Sequence, residues 1–164
     1  MATDNYLKVD TIEGEVEAVG FEKQIQIESY SFGASNPGSA GVGTGMGSGK
    51  VSLQDFHFVI KNGKASPALF LATAKGNHIP QAILSLRKSG GDGKPYVFTK
   101  YTFKDILISS FQTGGSKGGD GPIDQCSFNF TAITVEYFQQ KADGSVSLTN
   151  TVSYDIKKVE GTGA

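Results

Sequence analysis

The sequence predicts an all-β domain that carries one short helix. Most of the chain alternates apolar and polar residues with period two and is rich in β-branched and aromatic residues. A single segment breaks this period with a helical pattern. One helix among seven or eight strands is typical of a β-barrel or a β-sandwich.

The predicted strands include two that change phase. Ile25 and Ile27 share one phase of their strand, whereas Tyr30 and Phe32 share the opposite phase. A strand that switches faces in this way usually bends through a bulge at a corner of a barrel. The segment 51–60 shows the same change. In chain order the predicted strands are residues 6–9, 24–32, 51–60, 82–88, 96–104, 106–113, 127–139 and 151–157.

The predicted helix covers residues 66–76 (SPALFLATAKG). Ser66 is expected to cap its N-terminus, with Pro67 at the first helical position and Gly76 at its end. The side chains expected to pack inward are Leu69, Phe70 and Ala72.

Length and composition fit one domain over residues 1–164. The net charge of −1 argues against a nucleic-acid-binding protein, which would carry a clear basic excess. No apolar run approaches the roughly 20 residues of a membrane helix, and the first ten residues lack a signal-peptide core. Cys126 is the single cysteine, so we expect no internal disulfide, no structural zinc site and synthesis in a reducing compartment.

The charges are unevenly distributed along the chain. Residues 1–49 carry seven acids and two bases (−5), residues 50–104 nine bases and two acids (+7), and residues 105–164 seven acids and four bases (−3). Such a chain can pair head to tail with copies of itself, which would also protect exposed strand edges. Alternatively, these are solvated faces without a partner.

A glycine-rich loop at residues 33–49 contains seven glycines. Loops of this length are usually functional or disordered, so it is either a flexible linker or a segment that orders against a neighbouring subunit. It is not a phosphate-binding loop. Val51 stands where that motif needs Ser or Thr, and Thr44 stands where it needs Gly.

No enzyme signature is present in the sequence. It has two histidines and no G-x-S-x-G turn. We expect Cys126 to be a core thiol and His57 to point away from the face of Phe56 and Phe58. Asp55 and Asp105 are candidates for paired carboxylates, although their spacing does not require it. We therefore predict a protein without catalytic residues, cofactor or metal.

Several short motifs, in order along nearly the whole chain, resemble the haemolysin-coregulated protein (Hcp) family, whose members form the tube of bacterial type VI secretion. They are NYLKV (5–9), IEGE (12–15), YSFG (30–33), KV (50–51), QD (54–55), ASPAL (65–69), GNHI (76–79), LRKSGG (86–91), ISS (108–110), TGGS (113–116), Tyr137 and QKADG (140–144). One departure is the absence of Trp, which family members often carry in the aromatic-Ser-aromatic motif. Tyr30 and Phe32 keep that position aromatic, so the same fold is expected.

This resemblance implies a two-sheet β-barrel with one short α-helix, assembled as a hexameric ring. Rings would stack into a tube that a contractile sheath expels together with a spike, carrying small effector proteins in its lumen. The protein would assemble in the bacterial cytoplasm and be secreted without a cleaved signal peptide. A phage-like tail tube protein and a small-ligand-binding β-barrel are the alternatives.

The resemblance also suggests where contacts are made. Ser29 and Ser31 alternate with the core-facing aromatic residues of their strand, so they are the candidates for contact with effectors in the lumen. The long loop is expected to reach the neighbouring ring. Its candidate stacking residues are Ser39, Val42, Thr44, Met46 and Ser48.

Overall fold

The computed structural model describes residues 2–37 and 51–163, and within those ranges it contains one helix and twelve strands. The mainly-β class with one short helix is therefore confirmed. The elements are β1 Thr3–Val9, β2 Ile25–Gln26, β3 Ser29–Ser31, β4 Ala34–Ser35, β5 Ser52–Leu53, β6 Phe56–Lys61, α1 Ser66–Lys75, β7 His78–Ser89, β8 Pro95–Gly114, β9 Ile123–Asn129, β10 Ala132–Gln140, β11 Val146–Asp155 and β12 Glu160–Gly163.

Strand boundaries differ from the sequence prediction in several places: the predicted strands 24–32 and 51–60 are each divided in two, and β12 was not predicted. The strands predicted at 96–104 and 106–113 form one strand, β8, because the chain continues through Asp105 with a left-handed φ of +49° and stays in the sheet. The strand predicted at 127–139 is divided into β9 and β10. The chain turns between them, where the Thr131 amide donates to the Lys104 carbonyl at 3.0 Å. The predicted glycine loop begins with a short strand, β4, which pairs with β5.

The long strand β8 organises the sheet because it has different neighbours along its length. Its first half pairs with β10, its second half pairs with β9, and β7 pairs with it on the other side. The main path runs β12-β11-β10-β8-β7-β1-β2, and β9, β6 and β3 extend in turn from β8. All pairings between named strands are antiparallel in the described ranges.

The predicted corner at residues 24–32 is confirmed as the turn from β2 to β3. β2 pairs with β1, and β3 pairs with β6. Between them, the Ile27 amide donates to the Asn5 carbonyl at 3.0 Å, and the Glu28 amide donates to the Val59 carbonyl at 2.8 Å. The pairing ladder is interrupted at this turn, so the sheet is not the closed barrel that we expected.

The apolar residues before and after the turn in this bent segment face the same core. Ile25 and Ile27 are buried, and Tyr30 and Phe32 pack against the same cluster after the turn. The centre of that cluster is aromatic: the ring of Phe56 lies 5.9 Å from that of Tyr30 and 5.9 Å from that of Phe32.

The helix ends where the sequence predicts, but the predicted roles of Ser66 and Phe70 are wrong. Gly76 adopts a left-handed φ of +66° and ends the helix, as expected. Ser66 does not cap it: Ala65 occupies the cap position, while the Ser66 hydroxyl accepts from the Gly63 amide at 3.0 Å. Leu69 is buried, but Phe70 is 59% exposed, so its predicted inward packing is wrong.

A buried carboxylate ties the helix to the sheet. Asp124 on β9 is fully buried and accepts hydrogen bonds from the Ser66 hydroxyl at 2.5 Å and the Asn62 amide group at 3.2 Å. A buried charge is stable only where such donors replace water. Asp124 therefore fixes the start of α1 relative to β9.

We expect Asp124→Ala to lower the free energy of unfolding by about 2–3 kcal/mol, because the buried Ser66 hydroxyl and the Asn62 amide group lose a charged acceptor. Urea unfolding at fixed protein concentration measures this loss of stability. The control is Asp120→Ala, which removes an exposed carboxylate on the β8–β9 connection and should change stability by less than about 0.5 kcal/mol. Equal, small effects of the two substitutions would contradict the anchoring role.

Candidate functional site

The outward face of β3, β6, β9 and the second half of β8 is polar. Along β6, Phe56, Phe58 and Ile60 are buried in the core, so His57 and Val59 lie on the other side of the strand. The same alternation on β9 buries Cys126 and leaves its neighbours on the outward side. The face we call the polar face consists of Ser29, Ser31, His57, Val59, Ser110, Gln112, Gln125 and Ser127.

Strand register arranges the polar face in two rows. The first row is Ser31, His57, Ser127 and Ser110, each opposite the next. The second row is Ser29, Val59, Gln125 and Gln112. Directly opposed side chains on paired strands lie within contact range, so each row forms a continuous strip. Seven of these eight residues, all except the buried Ser127, line a shallow depression of about 390 Å³.

The first row ends in a cluster of hydroxyl groups. The register shifts between Ile108 and Ser110, and this irregularity brings both Ser109 and Ser110 to Ser127. The Ser127 hydroxyl lies 2.8 Å from that of Ser109 and 2.5 Å from that of Ser110. Ser109 also donates to the carboxylate of Asp55 at 2.8 Å. The buried Ser127 is thus fully engaged, and the cluster has a fixed geometry.

The depression has no carboxylate and no lysine or arginine side chain in its lining. None of its lining residues is Asp, Glu, Lys or Arg. Burial, followed by the influence of Tyr101, raises the pKa of Tyr30. Burial, followed by the negative charge of Asp124, raises the pKa of the Cys126 thiol to about 12. Both groups are therefore neutral at physiological pH.

Asp55 and Asp105 are not a carboxylate pair. Asp55 accepts from Ser109, whereas Asp105 lies 2.9 Å from Nδ1 of His78 and 3.5 Å from Nζ of Lys157. Across residues 2–37 and 51–163, no group of three or more His, Cys, Asp or Glu residues is placed to hold a metal ion.

Comparison with known proteins identifies the family of the chain. The family model described as "Type VI secretion system effector, Hcp" matches residues 6–137. The chain belongs to the Hcp family. It is 38% identical over 145 residues to protein hcp1 of Pseudomonas aeruginosa, a match that covers 88% of this chain and 89% of that protein.

Solved structures agree with this assignment. Hcp1 from Salmonella typhimurium is 31% identical and superposes with a TM-score of 0.79 over 99% of this chain and 100% of that one. A type six secretion system protein, 26% identical, gives a TM-score of 0.89 over 98% of this chain and 100% of that one. The Hcp chain is thus a tube protein of the type VI secretion system, which is a structural role rather than an enzymatic one.

The structure describes two of the predicted contact residues, Ser29 and Ser31, but not those of the loop. Ser29 and Ser31 are both exposed and both line the depression. Ser39, Val42, Thr44, Met46 and Ser48 lie outside the described residues.

The ten-residue α1, the one helix in the described part of the chain, is too short to cross a bilayer.

Sequence analysis did not assign His57, Gln112 and Gln125 to the same surface as the serines. The alternation Phe56-His57-Phe58 put His57 on the outward side, which is confirmed. The partners of that side depend on the register of β6, β9 and β8, which alternation within one strand does not determine.

The raised pKa of Cys126 predicts slow reaction with thiol reagents. At pH 8 the native thiol is protonated, because this pH lies well below a pKa of about 12, and only thiolates react readily. We expect 5,5′-dithiobis(2-nitrobenzoic acid) to modify Cys126 at least tenfold more slowly in the native protein than in 8 M urea. Equal rates in the two conditions would contradict its burial in the core.

Proposed function

We propose that six copies of this chain form a ring and that rings stack into the secretion tube. Membership in the Hcp family identifies the chain as a protein of the secretion tube. Two features of the chain support assembly from identical copies: the sheet ends in an exposed edge strand, β12, and the charge along the chain is strongly asymmetric. A head-to-tail interface with rotational symmetry closes as a ring, and a second interface along the axis extends it.

We further propose that the polar face lines the channel of this ring. The observation that carries this proposal is the lining of the depression, which contains no Asp, Glu, Lys or Arg and is composed largely of hydroxyl, amide and imidazole groups around Ser29 and Ser31. Hydroxyl and amide groups both donate and accept hydrogen bonds, so such a wall can hold different polar cargo surfaces. A wall without fixed charge also avoids strong repulsion or retention of cargo of either sign.

The loop that starts after β4 is the proposed contact between rings. The pairing of β4 with β5 brings Ala34 opposite Leu53 and Ser35 opposite Ser52, so the residues on either side of the segment lie next to each other. The intervening segment includes the candidate stacking residues Ser39, Val42, Thr44, Met46 and Ser48.

The partners of the tube follow from its role in secretion. We infer a sheath around the tube, a spike at its tip and small effector proteins inside it. The ring would assemble in the bacterial cytoplasm, where a free buried thiol such as Cys126 stays reduced, and leave the cell without cleavage of a signal peptide. Identical intact masses of the cytoplasmic and secreted protein would support this route, whereas a shortened secreted form would contradict it.

Ser31→Gln should leave the ring intact and reduce the amount of effector that co-purifies with it by at least fivefold. The longer side chain fills the depression without adding charge. Light scattering should give about 104 kDa for six copies of the 17.3 kDa chain, before and after the substitution.

The matched control is Ser89→Gln, an exposed serine at the end of β7 and not part of the polar face. Unchanged effector content in intact Ser31→Gln rings would remove Ser31 from the channel wall.

Deletion of residues 38–47 should leave rings intact and prevent their stacking. Light scattering would report the ring, and negative-stain electron microscopy would report tubes. A variant with the same ten positions replaced by a Gly-Ser repeat controls for the length of the segment. Tubes that form normally from the deletion variant would exclude the loop as the contact between rings.

A further inference from the structure

The connection between β6 and α1 contains the pair Asn62-Gly63. Of the six asparagines in the chain, Asn62 is the one that glycine follows. In such a pair the backbone nitrogen of glycine can attack the side-chain carbonyl carbon of asparagine, because glycine has no side chain to obstruct the approach. Asn62 is exposed, so water reaches it. The pair is therefore a candidate site for deamidation, a reaction that the secretion role does not involve.

The reaction needs water and no other reactant. The Gly63 nitrogen loses its proton to solvent and forms a bond to Cγ of Asn62, while the bond from Cγ to Nδ2 breaks and Nδ2 leaves as ammonia. This step produces a five-membered succinimide ring. One water molecule then opens the ring at either carbonyl and leaves a carboxylate at position 62, on an aspartate or an isoaspartate. Overall, one water is consumed and one ammonia is released.

The native structure ties both reacting groups to one buried carboxylate. The Gly63 amide donates to the Ser66 hydroxyl at 3.0 Å, and this hydroxyl donates in turn to Asp124 at 2.5 Å. Nδ2 of Asn62 donates to the two oxygens of the same carboxylate at 3.2 and 3.4 Å. The attacking nitrogen and the leaving group therefore belong to one network, which we call the Asp124 network.

The backbone is also held on both sides of the pair. The Asn62 amide donates to the Pro122 carbonyl at 3.1 Å, and the Lys64 amide donates to the Glu15 carboxylate at 3.1 Å. Ring closure requires rotation of the Asn62 side chain and backbone until Cγ reaches the Gly63 nitrogen. This rotation would take Nδ2 away from its buried acceptor, so the network opposes the reaction.

We propose that Asn62-Gly63 is a deamidation site that the native fold holds inactive, and that it reacts when the start of α1 detaches from β9. Segments of a folded protein open locally at a smaller cost in free energy than global unfolding. The rate of deamidation then reports the fraction of molecules in which the Asp124 network is open. The proposal needs neither a ring nor cargo, so it stands or falls independently of the proposed function.

The product would make the detachment permanent. A carboxylate at position 62 has no hydrogen to donate to Asp124 and adds a second negative charge beside it. Like charges at such a distance repel each other, and a buried charge that loses its donor is strongly destabilising. A chain that has once lost this anchor would therefore carry a chemical mark that prevents the anchor from forming again.

Mass spectrometry of the intact chain, and of the peptide that contains residues 62 and 63, measures the reaction at pH 8. We expect deamidation of the native protein to be at least tenfold slower than in concentrated guanidinium chloride, because only open molecules react. Equal rates in the two conditions, a faster rate in the native protein, or reaction mainly at another asparagine would overturn the proposal.

Gly63→Ala is the matched control for the chemistry. Its methyl group obstructs the attack, so deamidation at position 62 should be slow in both conditions. The native fold should accept the methyl group, since the nearest atom to a Cβ at this position is Oε2 of Glu15 at 3.3 Å, the end of a flexible side chain. Rapid deamidation of unfolded Gly63→Ala would contradict attack by the Gly63 nitrogen.

Two variants test whether the Asp124 network is what protects the pair. Ser66→Ala removes the acceptor of the Gly63 amide, and Asp124→Asn removes the charge with little change in shape. Where circular dichroism shows a folded variant, we expect deamidation in native buffer at least fivefold faster than in the wild-type protein. Ile108→Val lowers stability in the core away from the network and should leave the rate near that of the wild type. Unchanged rates in both network variants, or an equal increase in Ile108→Val, would overturn the role of the network.

Asn62→Asp reproduces one product of the reaction. Its midpoint of urea unfolding should lie below that of Asn62→Ala, which removes the same hydrogen bonds without adding a charge. A midpoint equal to or above that of Asn62→Ala would overturn the claim that deamidation makes the detachment permanent.

Discussion

The packing of three phenylalanine rings supports every other feature of the molecule. Phe56 on β6 lies 4.8 Å from Phe128 on β9 and 5.0 Å from Phe103 on β8, and Phe103 lies 5.1 Å from Phe128. All three are fully buried. Phe56 and Phe128 are cross-strand partners on β6 and β9, whereas Phe103 lies in the first half of β8, between β7 and β10, so the three rings pack these two parts of the curved sheet against each other. Edge-to-face and offset contacts between such rings add to the burial of their area.

This core determines which side chains face outward. When alternate residues of β6 and β9 are committed to the aromatic cluster, the residues between them must lie on the other side, and that side is the polar face. In the proposed tube, every subunit presents this hydrogen-bonding surface to the cargo, and the firmly packed core behind the surface keeps its geometry constant from subunit to subunit.

Local features were predictable from the sequence, and features that depend on distant residues were not. The phase change between Ile27 and Tyr30 correctly predicted the corner, because alternation within a strand reports its buried side. The prediction that Ser66 caps the helix was wrong, because the Ser66 hydroxyl donates a hydrogen bond to Asp124, which is 58 residues away in the sequence. Phe70 was misplaced for a different reason. Apolar character predicts burial, but Phe70 lies on the outer side of α1, where its ring contacts Phe111 and is otherwise largely exposed.

The most direct test of the central claim is a cryo-electron microscopy reconstruction of the purified ring, at a resolution that places side chains. We expect six subunits around an open channel, with Ser29, Ser31, His57 and Gln125 on the channel wall. A ring in which these residues face the outside, while another surface lines the channel, would contradict the assignment of the polar face to the lumen.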